Sequence, residues 1–403
     1  VTAHEKDLLA RRRDFPSLER GVHLVSHSLG ALPARARELA AQYLDEWDND
    51  SINAWGTWLP AVRALGDRIG EVLGVAPGTV SVFNNVSTVQ ATVASCFAFD
   101  GKQFGGRNKI VYDDLNFSTV HYVWQEQVRR GAELCVVKSD GVNAPIDALC
   151  DAIDERTLLV PISHVLFRSS AMYDVPRVVA RAREMGAMVL LDCYQSAGTV
   201  PLAIEAWGVD MACGGSVKWA CGGPGAAYLY VKPSLLPEMR PMATGWFAHQ
   251  EPFAFDMGPM RYADDAWRMI GGTPAIPAVY TARAGWDVIA DLGVTAIREK
   301  SLRQTTLARD MVRARGFTVN TPEQDDERGG TICFDFDGAL AVSRELSKRR
   351  FFHDYRPRCG LRVSPHFYTT DEELQRFFLE LDQVRAGGTA AVAAADASRG
   401  YAG

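Results

Sequence analysis

Between residues 80 and 231 short apolar runs alternate with longer segments that keep one apolar face. Residues 80–83, 109–112, 133–137, 157–162, 188–191 and 226–231 read as strands. Residues 118–130, 146–153 and 175–184 read as the helices between them. That rhythm predicts an α/β fold, a mostly parallel sheet covered by helices on both faces. Ligands in such sheets bind beyond the carboxyl ends of the strands. Polar residues recur at those ends: Ser87 and Thr88, Asp113, Asn116 beside Phe117, Ser163 and His164, Asp192 and Gln195, Ser216 and Lys218.

Past Pro233 the pattern turns irregular. Residues 241–275 are loop-rich. Helices are expected over 277–292, 295–315, 339–350 and 371–386, with strands at 317–320, 331–335 and 361–364. This is a smaller α+β domain. The expected division is 1–45 as an N-terminal arm and helix packing with the small domain, 46–280 as the large domain, 281–386 as the small domain and 387–403 as an Ala/Gly-rich tail. Two helices are expected near the start, from Pro33 to Trp47 and from Pro60 to Leu73. The aromatic-rich stretch 51–58 between them reads as a loop.

At 403 residues the chain can build two cores. Its net charge of -6 gives no electrostatic attraction to nucleic acid or an anionic membrane. No apolar run approaches the roughly 18 residues of a membrane span, and the first residues lack the apolar centre of a signal peptide. Eight cysteines are scattered without a CxxC pair or metal-type cluster. Reduced thiols and a cytoplasmic location are expected, with no metal.

The sharpest chemical signal lies in residues 189–230. Asp192 ends one apolar strand, and Lys218 follows the next, after Gly214-Gly215-Ser216. An acid and a lysine meeting over one pocket suit pyridoxal 5'-phosphate (PLP): the lysine forms a Schiff base and the acid keeps the pyridine nitrogen protonated. A strand followed by Asn84-Asn85-Val86-Ser87-Thr88 and a helix start offers free N–H groups and hydroxyls to a phosphate.

Longer motifs extend the reading. Ser28-Leu29-Gly30 with Pro33, tryptophans 47, 55 and 58, Gly245-Trp246-Phe247-Ala248-His249 and Gly272-Thr273-Pro274 resemble blocks of the kynureninases, within the class V, fold-type I PLP enzymes. The resemblance spans roughly residues 20–385. It implies a set of roles. Lys218 would hold PLP. Asp192 would pair with the pyridinium, Gln195 would bond the phenolate oxygen, and Phe117 would stack on the ring. Ser87, Thr88, Ser216, Trp246 and Thr273 would hold the phosphate, Thr273 from a neighbouring subunit. Arg362 would grip the substrate carboxylate, with His164, His27 and Trp55 near the substrate and His249 as a proton carrier. The partners implied are a small amino acid and a second copy of the chain, a homodimer with shared active sites.

The chain departs from that family at several positions. Gln195 replaces the histidine of a DxxH pattern, and Val217 replaces a tyrosine before the lysine. Val120 replaces an acid, and Leu166-Phe167 replace an Asn-Tyr pair. The DxxQ form resembles cysteine desulfurases and class V aminotransferases. The expected activity is cleavage of a C–C or C–S bond at the β carbon of an α-amino acid. The alternatives are an aminotransferase or epimerase, and a non-catalytic scaffold on the same fold. Cys359, beside Arg356 and Arg358, is expected to be buried and inert rather than a nucleophile.

Overall fold

A computed structural model describes residues 3–100 and 102–387 of the chain. The predicted tail from 388 onward lies outside the described residues. The centre is a seven-stranded sheet. Its order is Val80–Phe83, Ala227–Val231, Met211–Gly215, Met188–Asp192, Thr157–Ser163, Lys109–Asp113 and Glu133–Val137. The Ala227–Val231 strand runs antiparallel to both neighbours, and all other pairings are parallel. The central strands Thr157–Ser163 and Met188–Asp192 are almost wholly buried and rich in Val, Ile and Leu, as a sheet covered on both faces requires. Two apolar clusters form its two faces, one around Val111, Val160 and Leu191, the other around Ile110, Leu190 and Leu229.

The parallel strands all end at one edge. Phe83, Asp113, Ser163, Asp192 and Gly215 are the last residues there. Register sets Ser163 beside Asp192 and Asp192 beside Cys213. The polar turns anticipated from the sequence therefore share one rim.

A third apolar cluster serves a separate four-stranded antiparallel sheet, ordered Asp354–Arg356, Gly360–Val363, Ile332–Asp335 and Thr318–Val319. Val22 and Leu24 from the first segment join that cluster. Residues 22–30 run between the two sheets. Val22 pairs with Phe351 and His23 with Phe352, and the N–H of Gly30 donates to the carbonyl of Val217 at 2.9 Å. Gly30 must be glycine, because a Cβ there would collide with the Lys218 carbonyl. No described helix is long and apolar enough to cross a membrane.

One local expectation fails. Residues 51–58 are not a loop. A 3-10 turn over Ser51–Ala54 leads straight into a helix, Trp55–Leu73. Pro60 lies inside that helix rather than at its start. Burial of Trp58, Val62 and Leu65 on one face outweighs the hydrogen bond that proline cannot donate.

Candidate active site

The rim of the large sheet encloses a cavity of about 230 Å³. Lys218, Asp192 and Gln195 lie on its floor, Phe117 and Ser87 on its walls. These are the sequence-predicted residues that the fold brings together. Thr119, Val165 and Tyr194, which sequence reasoning did not single out, also line it, with Asn85, Val86, Ser163 and Phe167.

Lys218 stands just past the Met211–Gly215 strand. Its Nζ is 4.2 Å from the ring centre of Tyr194 and 5.5 Å from that of Phe117. Burial lowers its pKa to about 8; Asp192 and Asp354 oppose the shift, and Arg362 and Arg356 add to it. The amine is therefore close to giving up its proton at neutral pH. Asp192 is 6% exposed. Its Oδ1 accepts from the Tyr194 N–H at 2.8 Å, and its Oδ2 has no hydrogen-bond partner among the described residues. Burial raises this carboxyl, while the Tyr194 N–H and Lys218 pull it back. A buried acid with an open oxygen wants a cationic donor.

At the other end, the helix Val86–Ser95 points its N-terminus into the cavity. Asn85 caps it, its side chain accepting from the Thr88 N–H at 2.9 Å. Ser87 Oγ and Thr119 Oγ1 lie 3.0 Å apart, both on the cavity wall. Phe117 is 44% exposed and meets Phe167 edge-on at 5.2 Å, leaving a ring face open. Its loop is locked from below. Asp113 accepts from the Leu115 N–H, Asn116 Nδ2 and the Tyr173 hydroxyl, and Asn116 Oδ1 accepts from the N–H and hydroxyl of Ser163. Burial pushes Asp113 up to about 6 in spite of those donors.

Arg362 stands behind Phe167. Its Nε and Nη2 donate to the two oxygens of Asp354 at 2.8 and 2.6 Å, Nη2 also reaches Ser28 Oγ, and Nη1 donates to the Phe167 carbonyl. Arg362 and Asp354 are 3% and 2% exposed. The two-pronged face expected to grip a carboxylate is thus turned to Asp354. Burial alone would raise the Asp354 carboxyl; His27 and Arg362 outweigh it and hold it well below the usual carboxylate range.

Several predicted residues lie elsewhere or have their polar groups engaged. His27 is buried between Ser364 and Asp354, at 2.7 and 2.9 Å. Burial, with Arg362, lowers its pKa to about 4, so the neutral imidazole donates to Asp354. His164 points away from the cavity because successive residues of an extended segment face opposite sides. Ser163 and Val165 line the cavity, while the His164 ring packs on Trp207. The Ser216 hydroxyl accepts the Trp286 indole N–H at 2.8 Å and is not on the cavity wall. Thr88 turns its hydroxyl back to Asn85. Gln195 uses its amide on the His27 carbonyl and the Trp219 indole. Trp55 packs on Trp58 and Phe247. His249 lines a second cavity with Arg63, Phe253 and Trp267. Trp246 and Thr273 are exposed and line neither cavity. Cys359 is buried, with Sγ on the Arg168 carbonyl. Its contact with Cys333 and its burial push the thiol far up, which makes it a poor nucleophile.

Comparison with known proteins decides the family. The family described as Aminotransferase class-V matches residues 61–377. This chain belongs to that family. Among class V relatives, the chain is 30% identical to a kynureninase of Pseudomonas fluorescens over 385 residues, 92% of this chain and 90% of the relative. A kynureninase of Burkholderia pseudomallei is 32% identical over 364 residues, 87% of this chain and 86% of the relative. An uncharacterized aminotransferase of Bacillus subtilis, YcbU, is 29% identical, covering 92% and 96%. Among solved structures, the cystine C–S lyase C-DES, in complex with its product cysteine persulfide, superposes with a TM-score of 0.81 at 21% identity, covering 91% of this chain and 98% of that one. The cysteine desulfurase CsdA of Escherichia coli gives 0.82 at 19% identity, covering 96% and 99%.

Class V enzymes are PLP-dependent. The cavity fits that cofactor. It has an amine for the aldehyde, a buried acid with an unpaired oxygen for the ring nitrogen, and a capped helix N-terminus with two hydroxyls for the phosphate.

Proposed function

We propose that this class V enzyme cleaves a C–C or C–S bond at the β carbon of an α-amino acid, as its kynureninase relatives suggest. The observation that carries the reading is the setting of Lys218. Its amine is lowered to about 8, Asp192 lies in the same cavity, and Arg362 is near enough to act on it electrostatically. When bound, PLP supplies a sink for the electron pair left on the substrate. The chain supplies the rest. Asp192 holds positive charge at the ring nitrogen. Lys218 carries the proton at the substrate Cα, a role for which a pKa near the working pH is suited. Arg362 keeps one Nη1 hydrogen beyond those used by Asp354, Ser28 and Phe167, and directs it with its charge toward the substrate carboxylate. Val86, Val165 and Phe167 form an apolar wall that excludes water.

A panel of L-amino acids, L-kynurenine among them, tests the reaction on the PLP-loaded protein. Alanine or pyruvate with an equimolar released fragment is the expected product. Conversion of the bound cofactor to its pyridoxamine form with no fragment would replace this reading by transamination. That second reading is favoured by Gln195 and by the kinship with YcbU.

We further propose that the active protein is a homodimer with shared sites. Trp246, Phe253, Phe255 and Met257 are 39%, 55%, 70% and 96% exposed in one chain, an apolar group larger than single surface residues explain. Trp246 and Thr273 then complete the phosphate end of a partner's cavity. Analytical ultracentrifugation at assay concentration should give twice the chain mass. Full activity in a strictly monomeric species contradicts the proposal.

A further inference from the structure

Tyr194 is the cavity residue whose surroundings ask most for an explanation. It follows Asp192 by two positions, and its backbone N–H is already given to the Asp192 carboxylate. Its side chain lies across the end of the neighbouring strand. A Cβ built on Gly215 would sit 2.6 Å from both Cζ and Oη of Tyr194, so the ring occupies space that any other residue at 215 would fill. Gly215 pairs with Ala227, and Ala227 pairs with Phe83, the last strand residue before the turn into the helix Val86–Ser95. The phenol thus points from the acid end of the cavity toward the helix N-terminus. Its hydroxyl has no hydrogen-bond partner among the described residues. Burial, with the charge of Asp192, keeps the phenol above its ordinary pKa, so it is a neutral donor.

Ser87 and Thr119 stay on the cavity wall, but two other hydroxyls of the phosphate end are engaged. Ser216 takes the Trp286 N–H and Thr88 donates to Asn85. The Lys218 amine lies over both aromatic rings, 4.2 Å from Tyr194 and 5.5 Å from Phe117. A planar ring joined to that amine therefore has two aromatic neighbours.

We propose that Tyr194 is a second cofactor-binding residue, its ring facing PLP opposite Phe117 and its hydroxyl donating to the cofactor phosphate. The inference rests on PLP as the cofactor but not on which bond the enzyme cleaves. Spectroscopic titration of the apo-protein with PLP and with pyridoxal, which lacks the phosphate, tests it without any amino acid present. A failed lyase assay thus leaves it standing, and unchanged affinities of the Tyr194 variants leave the lyase reading standing.

Tyr194→Phe keeps the ring and its packing on Gly215. Its Kd for PLP should rise about tenfold or more, the loss of one hydrogen bond to a charged group. Its Kd for pyridoxal should stay within about twofold of wild type, a change too small for such a bond. Tyr194→Leu removes the ring as well and should weaken both ligands. An unchanged PLP affinity in Tyr194→Phe, or an equal loss for PLP and pyridoxal, overturns the phosphate contact. An unchanged affinity of Tyr194→Leu for pyridoxal overturns the ring contact. Thermal melting of each apo-variant against wild type separates these outcomes from misfolding.

Discussion

Lys218→Ala is expected to abolish the visible imine absorbance of the PLP-loaded protein and to lower turnover by about 10²–10⁴-fold from loss of the proton carrier alone. No other described lysine lines the cavity. The two aromatic rings, the helix N-terminus and Asp192 remain, so PLP still binds, as a free aldehyde. The substitution also acts on Asp192, because Lys218 is one of the influences that lower its raised pKa. In the apo-variant the Asp192 carboxyl rises further, and PLP binding should weaken as pH falls to a greater degree than in wild type. The direction follows from the charge on Asp192, which must be negative to hold the pyridinium. Absorption spectra with and without PLP, taken from pH 5 to 8, read both effects. Survival of the imine band would move the Schiff base to another lysine.

Asp354→Asn is expected to be the most damaging single change outside the cavity. Asp354 takes Nε and Nη2 of Arg362, Nε2 of His27 and the hydroxyl of Ser28. Arg356 adds a contact at 3.0 Å. Leaving Arg362 buried without its counter-charge costs about 3–5 kcal/mol. The effect on chemistry has a separate sign. Asp354 raises the Lys218 pKa, whereas Arg362 and Arg356 lower it. Removing the carboxylate while keeping both arginines should take the Lys218 amine of the apo-protein below about 8. Asp354 is a positioning residue, so KM should rise more than kcat falls, as Arg362 loses its fixed orientation. A fall in kcat at unchanged KM contradicts that role, and an unchanged melting temperature contradicts the buried-pair argument.

Much of the fold is legible in the sequence. The alternation from residue 80 pointed to a parallel sheet, and the strand-end rule put Asp192, Gln195, Ser87, Phe117 and Lys218 on one rim, where they lie together. His164 failed for a reason the sequence also contains. Its immediate neighbours Ser163 and Val165 face the cavity, and period-two alternation sends it to the other side. Ser216 lies just past its strand, with its hydroxyl taken by the Trp286 indole. Tyr194 had no such signal. Its position depends on a missing side chain at Gly215, on a different strand, and only register brings the two together. Asp354 was hidden in another way. It sits on a three-residue strand, Asp354–Arg356, that none of the motifs includes. Its importance comes from Arg362, which faces it across an antiparallel pair. Trp246, Thr273 and His249 belong to motifs whose use within one chain is not visible in the cavity at all.

The segment 22–30 sets a timetable for the protein's birth. His27 meets Asp354 across 327 positions, and Val22 waits for Phe351. At translation speeds of about 5–20 residues per second, His27 emerges on the order of tens of seconds before its partner exists. The rim with Asp192 and Lys218 needs nothing beyond the Ala227–Val231 strand to be paired. The pocket for the cofactor can therefore take shape on the ribosome before Arg362 has been made. The apolar residues Val22 and Leu24 stay without their core through that interval, and a nascent chain in this state is the form most in need of a chaperone.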